Sequence, residues 1–177
     1  MTNAEIKACF KGAKLVDYTG TVSGYRQMDN FQQEFIDLVR NCKNSKAVVV
    51  VDRGIGGRYH SPMIARDHVN LSGNNPLVGP NDPIGPRFPI VQGIYLTECW
   101  SGANSGVVAG IKEGVKPSSE DQELLRAIGA DVCSYNLVPS MLVAAHAGWK
   151  VLGIILPEGC KLDEAQLNAI NALTEGK

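Results

Sequence analysis

The sequence predicts an α/β protein: three layers, helix–sheet–helix, around a mostly parallel or mixed central sheet. Three observations carry this. The runs KAVVVV (Lys46–Val51) and WKVLGIIL (Trp149–Leu156) are apolar without alternation, as strands covered on both faces are. Helical patterns stand between strand-like segments, as the crossovers of parallel strands require. The length of 177 residues suits one domain, 1–177, with a sizeable core.

The elements follow in order. Asp29–Lys43 is an amphipathic helix capped by Asp29, with Phe31, Phe35, Leu38, Val39 and Cys42 on one face. The strand Lys46–Val51 is ended by Gly54, Gly56 and Gly57. A strand at Met63–Arg66 leads into RDHVNLSGNNPLVGPNDPIGPRFP (Arg66–Pro89). That stretch is too rich in Gly, Pro and Asn to be a helix or a strand, and long for a connection. Val69, Leu71, Leu77, Val78, Ile84 and Phe88 recur in it, so it is expected to pack as an ordered binding loop. Gly106–Ile111 reads as a strand. Ser118–Ile128 is a helix opened by a Ser cap with acids in its first turn and closed by Gly129. Asp131–Asn136 is a strand, and Pro139–Ala147 a short apolar helix ending at Gly148. After Trp149–Leu156, Leu162–Thr174 forms a last helix. No internal repeat, linker or low-complexity segment interrupts the pattern.

Charge and composition exclude several classes. The net charge is −1 and the basic residues are scattered, so neither nucleic acid nor an anionic membrane is an expected partner. No apolar run approaches the roughly 20 residues of a membrane span. MTNAEIKACFKGAK has no apolar signal core, and a cytoplasmic protein is expected. The five cysteines (Cys9, Cys42, Cys99, Cys133, Cys160) are widely spaced with no C-x-x-C pair, which predicts reduced thiols and no metal centre. His68 follows Asp67, but neighbours in a strand face opposite ways. His68 and Asn70 are therefore expected to bond the loop's own backbone. His146 is expected to serve the C-terminal end of its helix, and His60 to lie at the surface. Ser101–Gly106 is a weak candidate anion cradle.

The run R-D-H-x-N-L-x-G-x-N-P-L-x-G-P-N-D-x-x-G-x-R-F-P resembles the trimeric purine nucleoside phosphorylases. In that family it follows a central strand and reaches the neighbouring subunit. The resemblance extends over 47–95 and 106–156. Residues 1–28 match the family poorly and are too few to supply the first part of its domain, so a domain shortened at its N-terminus is expected. The resemblance implies a phosphate site built from an early Gly-Ser loop with an Arg and a His. None has a clear match, and Ser23-Gly24-Tyr25 is only a small Ser-Gly stretch. The family's Asn-Ala-Ala-Gly-Gly turn aligns with Arg53-Gly54-Ile55-Gly56-Gly57. Gly54 becomes a candidate for close approach to a ligand, and Arg53 and Gly56 for a residual phosphate site. The competing reading pairs Arg53 with Asp52 or another acid.

The family's purine-binding Glu falls at Pro117, and Glu113 or Glu120 could replace it only if the backbone shifts. Its purine-contacting Asn falls near Gly159, beside Glu158. Phe88 matches an aromatic that the family places over a neighbour's ribose. Tyr135, with Asn136 next to it, matches a Met lining the sugar pocket. The competing readings are an interface anchor for Phe88 and ordinary packing for Tyr135. A long helical insertion of the family has no counterpart near 101–106, which removes a lid-like element.

The resemblance thus implies a phosphorylase-like protein without ordinary phosphorolysis. No catalytic residue is assigned. A nucleoside or purine is the expected ligand, phosphate the only co-substrate to consider, and no cofactor is expected. A homo-oligomer, trimer or dimer, is expected through Arg66–Pro89. The alternatives are an active phosphorylase or hydrolase with a rearranged site, and a non-catalytic subunit of a complete homologue.

Overall fold

The computed structural model describes residues 13–22, 31–42, 45–100 and 103–174. They form strands β1 (Lys14–Asp17), β2 (Ala47–Gly54), β3 (Met63–Asn70), β4 (Asn104–Gly110), β5 (Val132–Ser134) and β6 (Lys150–Pro157). The helices are α1 (Phe31–Asn41), α2 (Ser119–Ala127), α3 (Leu137–His146) and α4 (Glu164–Thr174), with a 3-10 turn at Thr97–Cys99. Cys9, Ser23–Tyr25, the expected cap Asp29, Lys43, Ser101 and Gly102 lie outside the described residues.

One sheet holds the strands in the order β1-β2-β6-β3-β4-β5. β1, β2 and β6 run parallel, as do β3, β4 and β5. The two groups meet antiparallel at β6 and β3 through only Met63↔Ile155 and Ile64↔Ile154. The sheet is therefore mixed, and it curls. Ile55, just past β2, makes an antiparallel bridge to Cys133 of β5. The two amide–carbonyl bonds there measure 2.9 and 3.2 Å. Gly54 permits this closure: a methyl group on it would lie 2.7 Å from Ile155 Cγ2 and 2.9 Å from Val132 Cγ2.

The unbroken apolar runs are explained by cover on both faces. Val48 and Val50 pack with Phe35 and Val39 of α1 and with Leu137, Val138 and Met141 of α3. Ala47, Val49 and Val51 face the other way, toward Leu162 and Ile170 of α4. Leu125 of α2 packs on Ala109 and Cys133. Alternate residues of one strand thus meet different helices, which gives the expected three layers.

Several boundaries differ from expectation. β3 does not stop at Arg66. It continues to Asn70, with a register shift between Ala65 and Asp67 that leaves Arg66 as a bulge. The Gly, Pro and Asn that forbid a strand begin only after Leu71. α3 starts at Leu137 rather than Pro139, since proline is tolerated in a first helical turn. β5 is shorter than Asp131–Asn136. β1 had no strong sequence signal, being four residues of mixed polarity. Gly129 and Gly148 end their helices with φ of 90° and 72°.

The loop's apolar side chains are the larger correction. Leu71 and Ile84 are exposed, and Val78 and Phe88 retain 81% and 85% of their accessible surface. Polar turns order the loop instead. Asn70, Asn75 and Asp82 carboxamide or carboxylate oxygens accept the amides of Ser72, Leu77 and Ile84 at 3.0–3.1 Å. Its middle docks on the helical layer. Arg40 of α1 pairs with Asp82. Gly85 sits on the last turn of α3, where a methyl group would overlap the His146 carbonyl oxygen.

Candidate functional site

Residues at or just past the carboxyl end of each of the six strands line one open cleft of about 1320 Å³. Tyr18 follows β1, Arg53 and Gly54 end β2, and Ser72–Asn74 follow β3. Lys112 and Glu113 follow β4, Tyr135 and Asn136 follow β5, and Glu158 follows β6. Carboxyl ends of strands are the usual ligand side of α/β sheets. Here the curl of the sheet brings all six ends together.

Five of the six candidate residues converge on this cleft: Arg53, Gly54, Gly56, Tyr135 and Asn136. Phe88 does not line the cleft of its own chain and is solvent-exposed. Gly54 also has a packing reason to be glycine, namely Ile155 and Val132. Gly56 adopts φ 63°, and a side chain on it would press against Gln122. Pro117 and Glu158 both line the cleft, and Gln122 Nε2 donates to the Pro117 carbonyl at 3.4 Å. The Tyr135 hydroxyl donates to the Val115 carbonyl at 2.8 Å, so the ring is tied to the wall and leaves the cleft open.

Asp52 lies behind this surface and is 2% exposed. Its Oδ2 accepts from Ser134 Oγ at 2.5 Å and from the amides of Asn136 and Leu137, each at 2.9 Å. Its Oδ1 accepts from the Arg53 amide at 2.9 Å and from Asn136 Nδ2 at 3.3 Å. Asn136 is the N-cap of α3 but makes no side-chain cap bond. Asp52 supplies the cap from another strand. Burial pushes its carboxyl above the ordinary value, against the pull of these donors. The expected pairing of the Arg53 guanidinium with Asp52 is not found. The backbone amide makes that contact, while the exposed guanidinium reaches the Thr19 carbonyl at 3.5 Å.

Tyr18 closes the same wall. Its hydroxyl lies 3.2 Å from Ser140 Oγ, and Ser140 Oγ donates to the Asn136 carbonyl at 2.7 Å. Burial pushes the phenol well above its ordinary value, so it stays protonated. Sequence reasoning missed Tyr18, Asp52, Lys112 and Ser72–Asn74 as cleft residues. Asp52 had one signal: a carboxylate closing a run of four valines, Val48–Val51, is buried by its neighbours.

The histidines lie elsewhere. His68 Nδ1 is 2.7 Å from the Tyr95 hydroxyl, not on loop backbone as expected, and burial lowers its pKa. Asn70 does bond the loop, with Nδ2 donating to the Asn74 carbonyl at 2.9 Å. His146 turns from its helix end to Asn81, with Nε2 3.3 Å from Oδ1. His60 is exposed, as expected. Among the described residues no His, Cys, Asp and Glu group is placed to hold a metal ion, and no helix is long and apolar enough to cross a membrane.

No family model matches the chain. Curated proteins and solved structures do. The chain is 38% identical over 123 residues to purine nucleoside phosphorylase 1 of Bacillus subtilis, covering 60% of this chain and 45% of that protein. It spans about half the length of the curated relatives it matches, or less. The fold is similar to the purine nucleoside phosphorylase of Schistosoma mansoni solved with acetate. The TM-score there is 0.70 and the identity 22%, over 87% of this chain and 66% of that one. A Schistosoma purine nucleoside phosphorylase solved with guanosine gives a TM-score of 0.72 and 18% identity, over 98% of this chain and 92% of that one.

Proposed function

We propose that this chain is a member of the purine nucleoside phosphorylase family whose cleft binds a nucleoside or purine and does not carry out ordinary phosphorolysis. The observation that carries this is the make-up of the cleft wall. The scaffold ends, Gly54, Tyr135 and Asn136, surround an open volume. The positions aligned with the family's purine contacts hold Pro117 and Gly159, the latter beside Glu158. Proline offers neither a side-chain acceptor nor an amide donor, and an ionised Glu158 only accepts. A leaving purine gathers electron density and needs a donor or acceptor already in place. Losing one such contact costs about 10²–10³ in rate. Ligand binding makes smaller demands, and Tyr135, Asn136, Ser72 and Asn74 supply polar and aromatic surface for it.

Assembly belongs to the same proposal. Val78, Phe88 and Ile90 present 81%, 85% and 78% of their surface to solvent along one loop. Large apolar side chains exposed together mark association surfaces. A homo-oligomer, trimer or dimer, would cover them.

The direct test is an assay of inosine and guanosine cleavage with and without phosphate, alongside calorimetric binding of both. Binding with no phosphate-dependent cleavage above background is expected. Turnover at an ordinary enzymatic rate, about 1–10³ per second, would instead establish an active enzyme with a rearranged site. Activity appearing only on mixing with a complete homologue would identify a subunit.

A further inference from the structure

We propose that Asp52 is an internal anion that occupies the oxyanion position at the start of α3 and, by pinning Asn136, turns a hydrogen-bond acceptor toward the cleft. The cleft would then hold its ligand there through a donating hydroxyl or amino group and would not admit phosphate at the start of α3. This rests on the reading of the cleft as a nucleoside site, and it adds which chemistry the site selects.

The first amides of a helix have no partners within it and favour a negative group. In α3, a helix of ten residues, the Asn136 and Leu137 amides both point at Asp52 Oδ2, each at 2.9 Å. Ser134 Oγ completes the set at 2.5 Å while itself accepting from the Leu137 amide at 3.2 Å. This is a cradle of two amides and a hydroxyl, already filled by the chain's own carboxylate. Among the described residues every hydrogen bond to Asp52 comes from a donor, and its Oδ1 meets the Arg53 amide and Asn136 Nδ2. Four of these five contacts are N–H groups, which can only donate, and such a set suits the ionised form.

The bond to Asn136 sets the second half of the proposal. With Nδ2 on Asp52 Oδ1 at 3.3 Å, the Asn136 carboxamide oxygen has no protein partner among the described residues. A flipped amide would set oxygen against carboxylate oxygen, acceptor on acceptor. Asn136 lines the cleft and is half-buried. The group it offers is therefore an acceptor with a negative charge behind it. Sugar hydroxyls and exocyclic amines satisfy such a group, and an oxyanion is repelled by it. The exposed cations Arg53, Lys112 and Lys116 stand at the same cleft, so the test must report on α3 itself.

That test is a ¹⁵N NMR titration of the full chain at pH 7.5, with inorganic phosphate and with inosine as separate probes. Phosphate to about 20 mM is expected to leave the Asn136 and Leu137 backbone amides unmoved. A saturable shift of both amides would overturn the proposal. Asp52→Ala should open the cradle, so phosphate would move the Leu137 amide and raise the melting temperature of the variant; an empty but unresponsive cradle counts against the idea. Asn136→Ala keeps the cap and removes the acceptor. It should weaken inosine binding about fivefold to tenfold, the loss of about one hydrogen bond, and unchanged affinity would refute the acceptor role. If inosine fails to bind wild type, the nucleoside reading falls alone, because the amide response to phosphate still decides the internal anion. If Asp52→Ala does not fold, the wild-type titration decides it.

Discussion

At the scale of single residues, Asp52 sets a pH dependence whose sign can be worked out. Burial raises its folded pKa above the ordinary carboxylate value of about 4. The folded state then holds the proton more tightly than the unfolded chain. The group's contribution to stability is fully present below about pH 4 and is lost as pH rises through the folded value. Asp52→Asn removes the titration. In urea unfolding, the stability of wild type minus that of Asp52→Asn should be larger at pH 4 than at pH 7. A difference that grows toward pH 7 would mean that the five donors outweigh burial. The role of Asp52 is not legible in the sequence because a carboxylate's worth depends on which strand ends face it. Ser134, Asn136 and Leu137 lie more than 80 positions away, and no local pattern joins them to Asp52.

At the scale of elements, the loop after β3 is held by one close approach more than by its apolar side chains. Gly85 lies on the His146 carbonyl with no room for a methyl group. Gly85→Ala should lift the stretch 76–90 from α1 and α3, breaking the Arg40–Asp82 and His146–Asn81 contacts together. Amide exchange in that stretch should accelerate at least tenfold while the sheet amides keep their protection. Equal acceleration in β2 and β6 would show that the loop is not a separate unit. The strands and helices were legible because they rest on local regularities: uninterrupted valines, an amphipathic stripe, a Ser cap and closing glycines. The Ser118 cap formed where the sequence placed it, and Asp121 returns the bond to complete a capping box. The packing of the loop was not legible. Its turns close through Asn and Asp oxygens, and this satisfies the backbone while leaving Val78 and Phe88 outside. The candidate cleft was half legible. Gly54, Tyr135 and Asn136 end strands whose patterns were visible, whereas Tyr18 enters because β1, a strand without a strong signal, pairs beside β2, and Asn74 because the sheet curls.

At the scale of the whole molecule, Phe88 separates interface from ligand contact. In a lone chain it is 85% exposed, and truncating it there should cost little. In an assembly it is a natural anchor, since interface hot spots are often aromatic. Phe88→Ala should shift the sedimentation distribution toward monomer and lower the melting temperature in a concentration-dependent way. An intact oligomer that melts normally and fails only to bind inosine would place Phe88 over a ligand instead.

The position of β6 has a consequence for how the chain reaches this state. The last strand in sequence stands in the middle of the sheet, between β2 and β3. Until residues 150–157 leave the ribosome, β2 and β3 each present an open edge, and Val48–Val51 has no partner on one side. The sheet cannot zip from its N-terminal strand onward as synthesis proceeds. It must wait for a segment more than 90 residues after β2, so contacts of long sequence separation form late and folding is slow. During that wait two unpaired β-branched edges are exposed to other nascent chains. Chains stalled before Lys150 should therefore depend on chaperone binding, and chains released after Pro157 should not.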